Sequence, residues 1–522
     1  MSQNAILLRQ ANARANGTVL SNEGGDVYRV DPLTHLRRFL ILGSTGTFYA
    51  TGYDVTKGAD ETIQRVIHEQ PRAALDMVIE VSRGNLALRI DPAIYVLAAL
   101  TRSADLAVKR EAVEAVAEVC RIGTDLLHWL GYRFADRKSN RTFRRAVSRW
   151  FTMRTPDVLA LQAVKYDQRD GWSLRDALRL ARPTAPSSDH ALIFDWIAHP
   201  DKRTTFEADL LTDSHASRLF VGYSALRRDD ITPEQAAEAI TSARLPREMV
   251  PGPLLGHEAV WRALLPDMPG RALLRNLGKL SSLGMDDEHS VDLIVRKIHG
   301  ATKVCHPFEF LLARSVYDAG RGIKGSLTWT PNSRISTALA EGFGEAFTGL
   351  EIYPDQTPLI ALDVSGSMTY GNASGTHLTC VDAETSLALV FAYQFPNATF
   401  MAYENRAYHL EVRGEGYDEL RQALGRIQGG GTDCSLPLTA AMSDPEVSAV
   451  VSITDSETWP SRYGLHRITE IQATRPAFRH AVLAMATNEI SIADPSDPRQ
   501  MDLVGMDASV PRTLALFLSG QV

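Results

Sequence analysis

No lysine occurs in residues 351–522 of this 522-residue chain, although that stretch holds ten arginines and 21 aspartates and glutamates, a net charge of −11. The preceding 350 residues carry 45 Lys+Arg against 41 Asp+Glu, a net +4, so the overall −7 hides two parts of opposite sign. If nucleic acid is bound, the first 350 residues must bind it, because phosphate neutralisation dominates such affinity. Cysteine is scarce: Cys120, Cys305, Cys380 and Cys434 stand far apart with no Cys-x-x-Cys, which indicates neither a disulfide framework nor a zinc site. No apolar run approaches the ~20 residues of a membrane span. Met1 to Val19 lacks the sustained hydrophobic segment of a signal peptide, so a cytoplasmic protein without membrane contact is expected. Catalytic signatures are missing too: there is no His-Glu-x-x-His and no Walker A loop, and Ser365 lacks a Gly-x-Ser-x-Gly setting. A noncatalytic chain of two or more domains is the expectation.

What is present divides into two textures. From about residue 59 to 345 the pattern is helical. Segment 106–121 places apolar residues on one face with a period near 3.6. Thr155-Pro156 and Thr232-Pro233 read as N-caps followed by proline at the first helical position, and Ser173 with Asp176 as a weaker cap. Helices of this length joined by short turns predict stacked pairs, as in HEAT or armadillo arrays.

After Ile352, strands (357–363, 398–404, 407–412, 448–454, 480–486 and 501–505) alternate with helices (380–394, 417–427, 462–474 and 511–519). That alternation predicts a doubly wound α/β domain. The boundary is expected within 346–357, giving domains 1–352 and 353–522. The apolar run Leu359–Leu362 ends in Asp363, followed by Ser365 and Ser367. A strand ending at the carboxyl edge of such a sheet delivers one carboxylate, and the turn after it swings two hydroxyls to the same side. Hard cations prefer such oxygen ligands. Gly429-Gly430-Gly431-Thr432 adds a loop hydroxyl, and the strand 449–454 ends at Asp455. Asp363, Ser365, Ser367, Thr432 and Asp455 in this order resemble the metal-ion-dependent adhesion site of von Willebrand factor A domains. The resemblance implies a divalent cation, Mg²⁺ first, with Mn²⁺ or Ca²⁺ as alternatives.

The basic charge concentrates in residues 133–154, with Arg133, Arg137, Lys138, Arg141, Arg144, Arg145, Arg149 and Arg154 against one acid, Asp136. Phe143, Val147, Trp150 and Phe151 form the buried stripe of that helix, leaving Arg141, Arg145 and Arg149 on another face. Lys165, Arg169, Arg175, Arg179 and Arg182 continue the theme. A solvated helix face is the plain reading; two neighbouring basic helices instead favour an electrostatic stripe for phosphate, which arginine bonds bidentately.

Residues 36–49 resemble the opening signature of the TROVE module. Lys165–Ser173 resembles its Lys-Tyr-x-Gln-Arg-x-Gly-Trp segment, and Leu273–Leu280 its Arg-Asn-Leu-Gly-Lys stretch. Thr454–Trp459 and Ile492–Pro495 resemble the Ro proteins. The chain is identified as a bacterial member of the Ro autoantigen family from about Asn22 onward. The resemblance implies a ring of HEAT-like α-helical repeats closed by a Rossmann-like von Willebrand factor A domain. It also implies small noncoding Y RNA bound outside the ring, and single-stranded ends of misfolded or structured RNAs in its central hole. Through Y RNA it implies partnership with an exoribonuclease, notably polynucleotide phosphorylase, in RNA quality control and stress response. A monomer is expected. Lys165 and Arg169 match positions implicated in Y RNA binding, and Arg182 stands where the animal pattern has histidine. With these three, Lys138, Arg141 and Arg145 complete the candidate RNA contacts. The competing reading is a metal-dependent protein-docking module without specific RNA binding.

Overall fold

The structure is a computed structural model. It describes residues 18–520 except 22–23, 43–58, 60, 85, 88–89, 135–139, 167, 204–214, 306, 324–325, 346–350, 372, 374–377, 415, 428, 461–463, 465, 487–488 and 507–508. Lys138, Arg137, residues 43–49 of the opening signature and residues 346–350 of the expected boundary lie outside the described residues.

Helices α1 (Pro32–Leu42), α2 (Glu61–Glu69), α3 (Pro71–Gly84), α4 (Asp91–Leu100), α5 (Leu106–Val119) and α6 (Gly123–Arg133) open the array. It continues through α7 (Arg141–Thr152), α8 (Pro156–Lys165), α9 (Leu174–Ala181), α10 (Ser188–Ala198), α11 (His215–Ala225) and α12 (Pro233–Ala243). Next come α13 (Glu258–Leu264), α14 (Gly270–Ser282), α15 (Glu288–Ala301), α16 (Pro307–Asp318) and α17 (Ser333–Glu345). Each packs mainly on its neighbour or on the second helix along: α3 on α4 and α5, α5 on α7, α7 on α9, α14 on α15 and α16, α16 on α17. That pattern is the stacked-pair architecture expected from the helical periodicity.

Local chemistry explains the helix starts. Asp105 accepts hydrogen bonds from the backbone N–H groups of Ala107 and Val108 at the head of α5. Thr232 with Gln235 and Ser173 with Asp176 form reciprocal capping boxes. Thr155 precedes Pro156 as expected, but its side chain makes no cap bond. Within the span read as helical, the periodicity reading missed a two-stranded hairpin of β3 (Gln168–Arg169) and β4 (Trp172–Ser173). Asp170 (φ 49°) and Gly171 (φ 74°) turn it, both left-handed, as a two-residue hairpin loop requires. The Asp-Gly pair was the signal for it.

The acidic part forms a six-stranded sheet. Its strands are β5 (Pro358–Asp363), β6 (Thr399–Tyr403), β7 (Ala407–Leu410), β8 (Ala449–Thr454), β9 (Arg479–Ala484) and β11 (Gln500–Val504), in the order β11-β9-β8-β5-β6-β7. All pairings are parallel except β6 with β7. Its helices are α18 (Gly366–Tyr370), α19 (Cys380–Gln394), α20 (Tyr417–Gly425), α21 (Leu436–Ser443), α22 (Arg467–Thr474) and α23 (Ser509–Leu518). Helices α18 and α21 were not expected. The first is a single turn, and Leu436–Ser443 mixes apolar and small residues without a contrasting polar face. The chain runs from β5 outward to β6 on one side and returns to β8 on the other, so the switch point of the sheet lies between β5 and β8.

Both ends of the helical array dock on this domain. At the first seam β1 (Val19–Leu20) pairs with β2 (Asp26–Arg29), and β2 pairs with β10 (Ile490–Ser491) beside the main sheet. Arg38 of α1, fully buried, bonds both carboxylate oxygens of Asp502 in β11 and the carbonyl of Ile490. Residues 19–29 are therefore joined by strand pairing to the far side of the expected domain division. At the other seam Arg314 of α16 bonds Asp418 of α20 at 2.6 Å. Leu311 and Phe343 face Leu389 and Tyr393 there across a cavity of about 480 Å³. The helices thus form a ring that the α/β domain closes.

Candidate metal site and basic helix face

Strands β5 and β8 end side by side at the switch point. Asp363 closes β5 and Asp455 directly follows β8, both buried. The turn after β5 folds back so that the Ser365 N–H donates to Asp363 Oδ1 at 3.0 Å, and the Ser365 and Ser367 hydroxyls lie 3.3 Å apart. The glycine loop is drawn onto this turn by two backbone bonds, Gly366 N–H to Gly430 O and Gly429 N–H to Val364 O. Gly429 (φ 106°) and Gly430 (φ 92°) have the backbone that glycine alone adopts freely. That approach brings Thr432 to the site, held by the Trp459 N–H on its carbonyl at 2.7 Å. The Thr454 hydroxyl donates to the second Asp363 oxygen at 2.5 Å, a positioning contact absent from the sequence reading.

Hydrogen bonds link Asp363, Ser365, Ser367 and Asp455, and all five expected ligands are buried, each at most 5% exposed. The Thr432 hydroxyl is buried and has no hydrogen-bond partner among the described residues. Burial, and then the charges of Asp363 and Glu457, push the Asp455 carboxyl well above its ordinary range, while a hydrogen bond from Ser367 pulls the other way. Glu384 on α19 is likewise raised well above its ordinary range by burial and by the charge of Asp363. Among the described residues no group of three or more His, Cys, Asp or Glu side chains is placed to hold a metal. A cation at this place would instead be held by two carboxylates and three hydroxyls. Such a hard, oxygen-only donor set fits Mg²⁺, and the orphaned Thr432 oxygen and crowded carboxylates fit a positive charge there. A bound cation would offer an electrophilic position to an incoming oxygen ligand.

The basic helix face resolves into three groups. Arg133 and Arg154 have structural roles. Arg133 bonds Thr101, and Arg154 lies over the Trp150 ring at 3.9 Å and bonds the carbonyls of Trp150 and Cys120 at 2.6 Å. Arg141, Arg144, Arg145 and Arg149 of α7 line a surface groove with Glu114 of α5, and Lys109 and Arg110 extend it. Lys165 and Arg169 form a separate group. Lys165 is largely covered and faces Glu248 at 3.4 Å. Arg169 is exposed on the hairpin, and Arg182 is exposed at the left-handed residue that ends α9. The hairpin is anchored by Trp172, buried against Phe143, and by Asp170, whose Oδ2 accepts from His128 Nδ1 of α6 at 2.6 Å. Lys109, Arg110 and Arg144 were not among the candidate contacts. Lys109 and Arg110 come from a helix over thirty residues away, with no signal to pair them with α7.

The fold and the converging oxygen donors define the class: a helical-repeat ring joined to a von Willebrand factor A-type domain. Comparison with known proteins agrees. The TROVE domain model matches residues 19–218 and 242–342, and the Ro60 vWA domain model matches residues 358–518. The chain is 34% identical to the "RNA-binding protein RO60" of Deinococcus radiodurans, covering 97% of this chain and 96% of that protein. It is 29% identical to the protein of the same name from Caenorhabditis elegans, covering 98% and 92%. The crystal structure of the Deinococcus radiodurans RO (RSR) protein superposes with a TM-score of 0.71 at 32% identity, over 94% of this chain and 100% of that one. This chain belongs to the Ro family of TROVE proteins. No described helix is long and apolar enough to cross a membrane.

Proposed function

We propose that this protein is a noncatalytic RNA-binding scaffold whose helical ring, not its metal site, takes the RNA. One observation carries the reading: in a Ro-family chain, the exposed cations of α5 and α7 line a single groove on the net-basic part, while the α/β domain is net acidic. The ligands are small noncoding Y RNA on the outer surface and single-stranded ends of misfolded or structured RNAs in the ring. An exoribonuclease of the polynucleotide phosphorylase kind works with it through Y RNA in RNA turnover and stress response. The protein acts in the cytoplasm as a monomer. The cation, Mg²⁺ or alternatively Mn²⁺ or Ca²⁺, is held by Asp363, Ser365, Ser367, Thr432 and Asp455.

A gel shift with a structured small RNA tests this. Lys165→Ala combined with Arg169→Ala weakens binding and flattens the log–log salt slope by about 1 per lost phosphate contact. Asp363→Ala leaves RNA binding nearly unchanged. Equal losses in both variants, or shortened RNA after incubation with Mg²⁺, overturn the scaffold reading. The orphaned Thr432 hydroxyl favours a second, compatible activity, docking of a partner carboxylate on the bound cation.

A further inference from the structure

Helices α5 and α7 present matching polar spacing to the groove between them. Lys109, Arg110 and Glu114 recur at helical intervals on α5, as do Arg141, Arg144, Arg145 and Arg149 on α7. The groove has two basins of about 290 and 580 Å³ that share Arg141 and Arg145 and so form one track. No aromatic side chain lines either basin among the described residues, so the track has no platform for stacking bases. Its chemistry suits a sugar–phosphate backbone whose bases stay paired, as in an RNA stem.

The four cations Lys109, Arg110, Arg141 and Arg144 make no ion pair among the described residues. Arg145 and Arg149 differ. Glu114 Oε1 accepts from Arg145 Nε at 2.5 Å, and Glu114 Oε2 lies 3.1 Å from Arg149 Nε. One carboxylate thus occupies the fork of Arg145 and sits beside that of Arg149, at the middle of the track where a phosphate would bind. Resting on the RNA-binding reading, we propose that Glu114 is an internal competitor for phosphate, which weakens the groove's hold on RNA stems and sets its salt sensitivity. RNA entering the track must displace or share this carboxylate, so Lys109, Arg110, Arg141 and Arg144 make the first contacts. Glu114 is half-buried on a surface helix, so replacing it leaves the fold intact.

The test uses the full chain and a fluorescein-labelled RNA hairpin, read by anisotropy across a salt series. Glu114→Gln and Glu114→Ala both tighten binding roughly fivefold at low salt, the scale of one surface charge pair. Both steepen the log–log slope by about 0.7–0.9 for each arginine released to a phosphate. Lys109→Ala with Arg110→Ala flattens the slope by a similar amount per cation, and scrambling the stem sequence changes neither. Unchanged or weaker binding in both Glu114 variants overturns the proposal, because Glu114 would then be inert or would preorganise the arginines. Failure of the unmodified protein to bind the hairpin instead overturns the RNA-binding reading itself.

Discussion

Removing Arg38 should loosen the first seam of the ring far more than any single surface ion pair could. The guanidinium is fully buried and bonds Asp502 through Nε at 3.0 Å and through Nη2, with Nη1 on the Ile490 carbonyl at 2.8 Å. Arg38→Ala leaves a carboxylate that is only 12% exposed without its counter-charge, and the Ile490 carbonyl without this donor. Breaking one side of such a pair costs about 3–5 kcal/mol. Ser491, whose hydroxyl bonds Asp502 at 2.6 Å, offsets part of that loss and favours the lower end. Hydrogen exchange followed by mass spectrometry reads the seam directly. Amide protection in β2 and β10 should fall roughly 10²-fold or more while β5 and β8 stay protected, because local opening is limited by the contacts it breaks. The double variant Arg38→Met/Asp502→Leu, which removes both charges and keeps volume, should recover most of the protection. A loss under about 1 kcal/mol in Arg38→Ala, or a double variant no better than the single one, refutes the account of the seam.

Three further outcomes follow from the acidic groups. Mg²⁺ should raise the melting temperature of the α/β domain, by the equivalent of about 2.7 kcal/mol at a hundredfold excess over Kd, and Asp363→Ala should abolish the effect. Because Asp455 holds its proton well above the ordinary range, protons compete with the cation, and Mg²⁺ affinity should weaken as pH falls; calorimetric titration at several pH values checks the sign. Asp125, buried at the start of α6, is pushed from 3.8 to about 6, first by burial. Between those values the unfolded chain has released the proton and the folded chain keeps it, so this group lowers stability as pH rises, by about 3 kcal/mol in total. Asp125→Asn should flatten the stability–pH curve over that window in denaturant titrations, and an unchanged slope would contradict the assignment.

The turn that carries the candidate metal ligands was legible because its geometry is local. Asp363, Ser365 and Ser367 lie within one strand–turn, and a strand ending in a carboxylate at the sheet's switch point leaves that carboxylate little choice of place. Thr432 and Asp455 followed from order along the chain. Thr454 and Glu384 did not, because their roles depend on which buried oxygen they face, and that is set by packing. Across residues 133–154 the sequence displays eight cations alike, and tertiary contacts separate those that the structure describes. Arg154 sits on helix carbonyls, Arg145 and Arg149 on Glu114, and Arg141 and Arg144 face solvent. Lys165 looks like a surface cation in sequence but is mostly covered beside Glu248, over eighty residues away.

By itself, the sequence determined what depends on near neighbours: helical and strand periods, caps, the ligand turn, the division of charge and the family signature. Ring closure was implied by resemblance alone, since no local pattern predicts that β2 will pair with β10 or that Arg38 will meet Asp502, 464 residues on. Those contacts offset the cost of burying charge only in a seam that exists once both ends of the helical array return to the same sheet. For the same reason the working state of each arginine was decided by the tertiary structure, because a long flexible cation takes whichever anion or carbonyl the fold brings within reach.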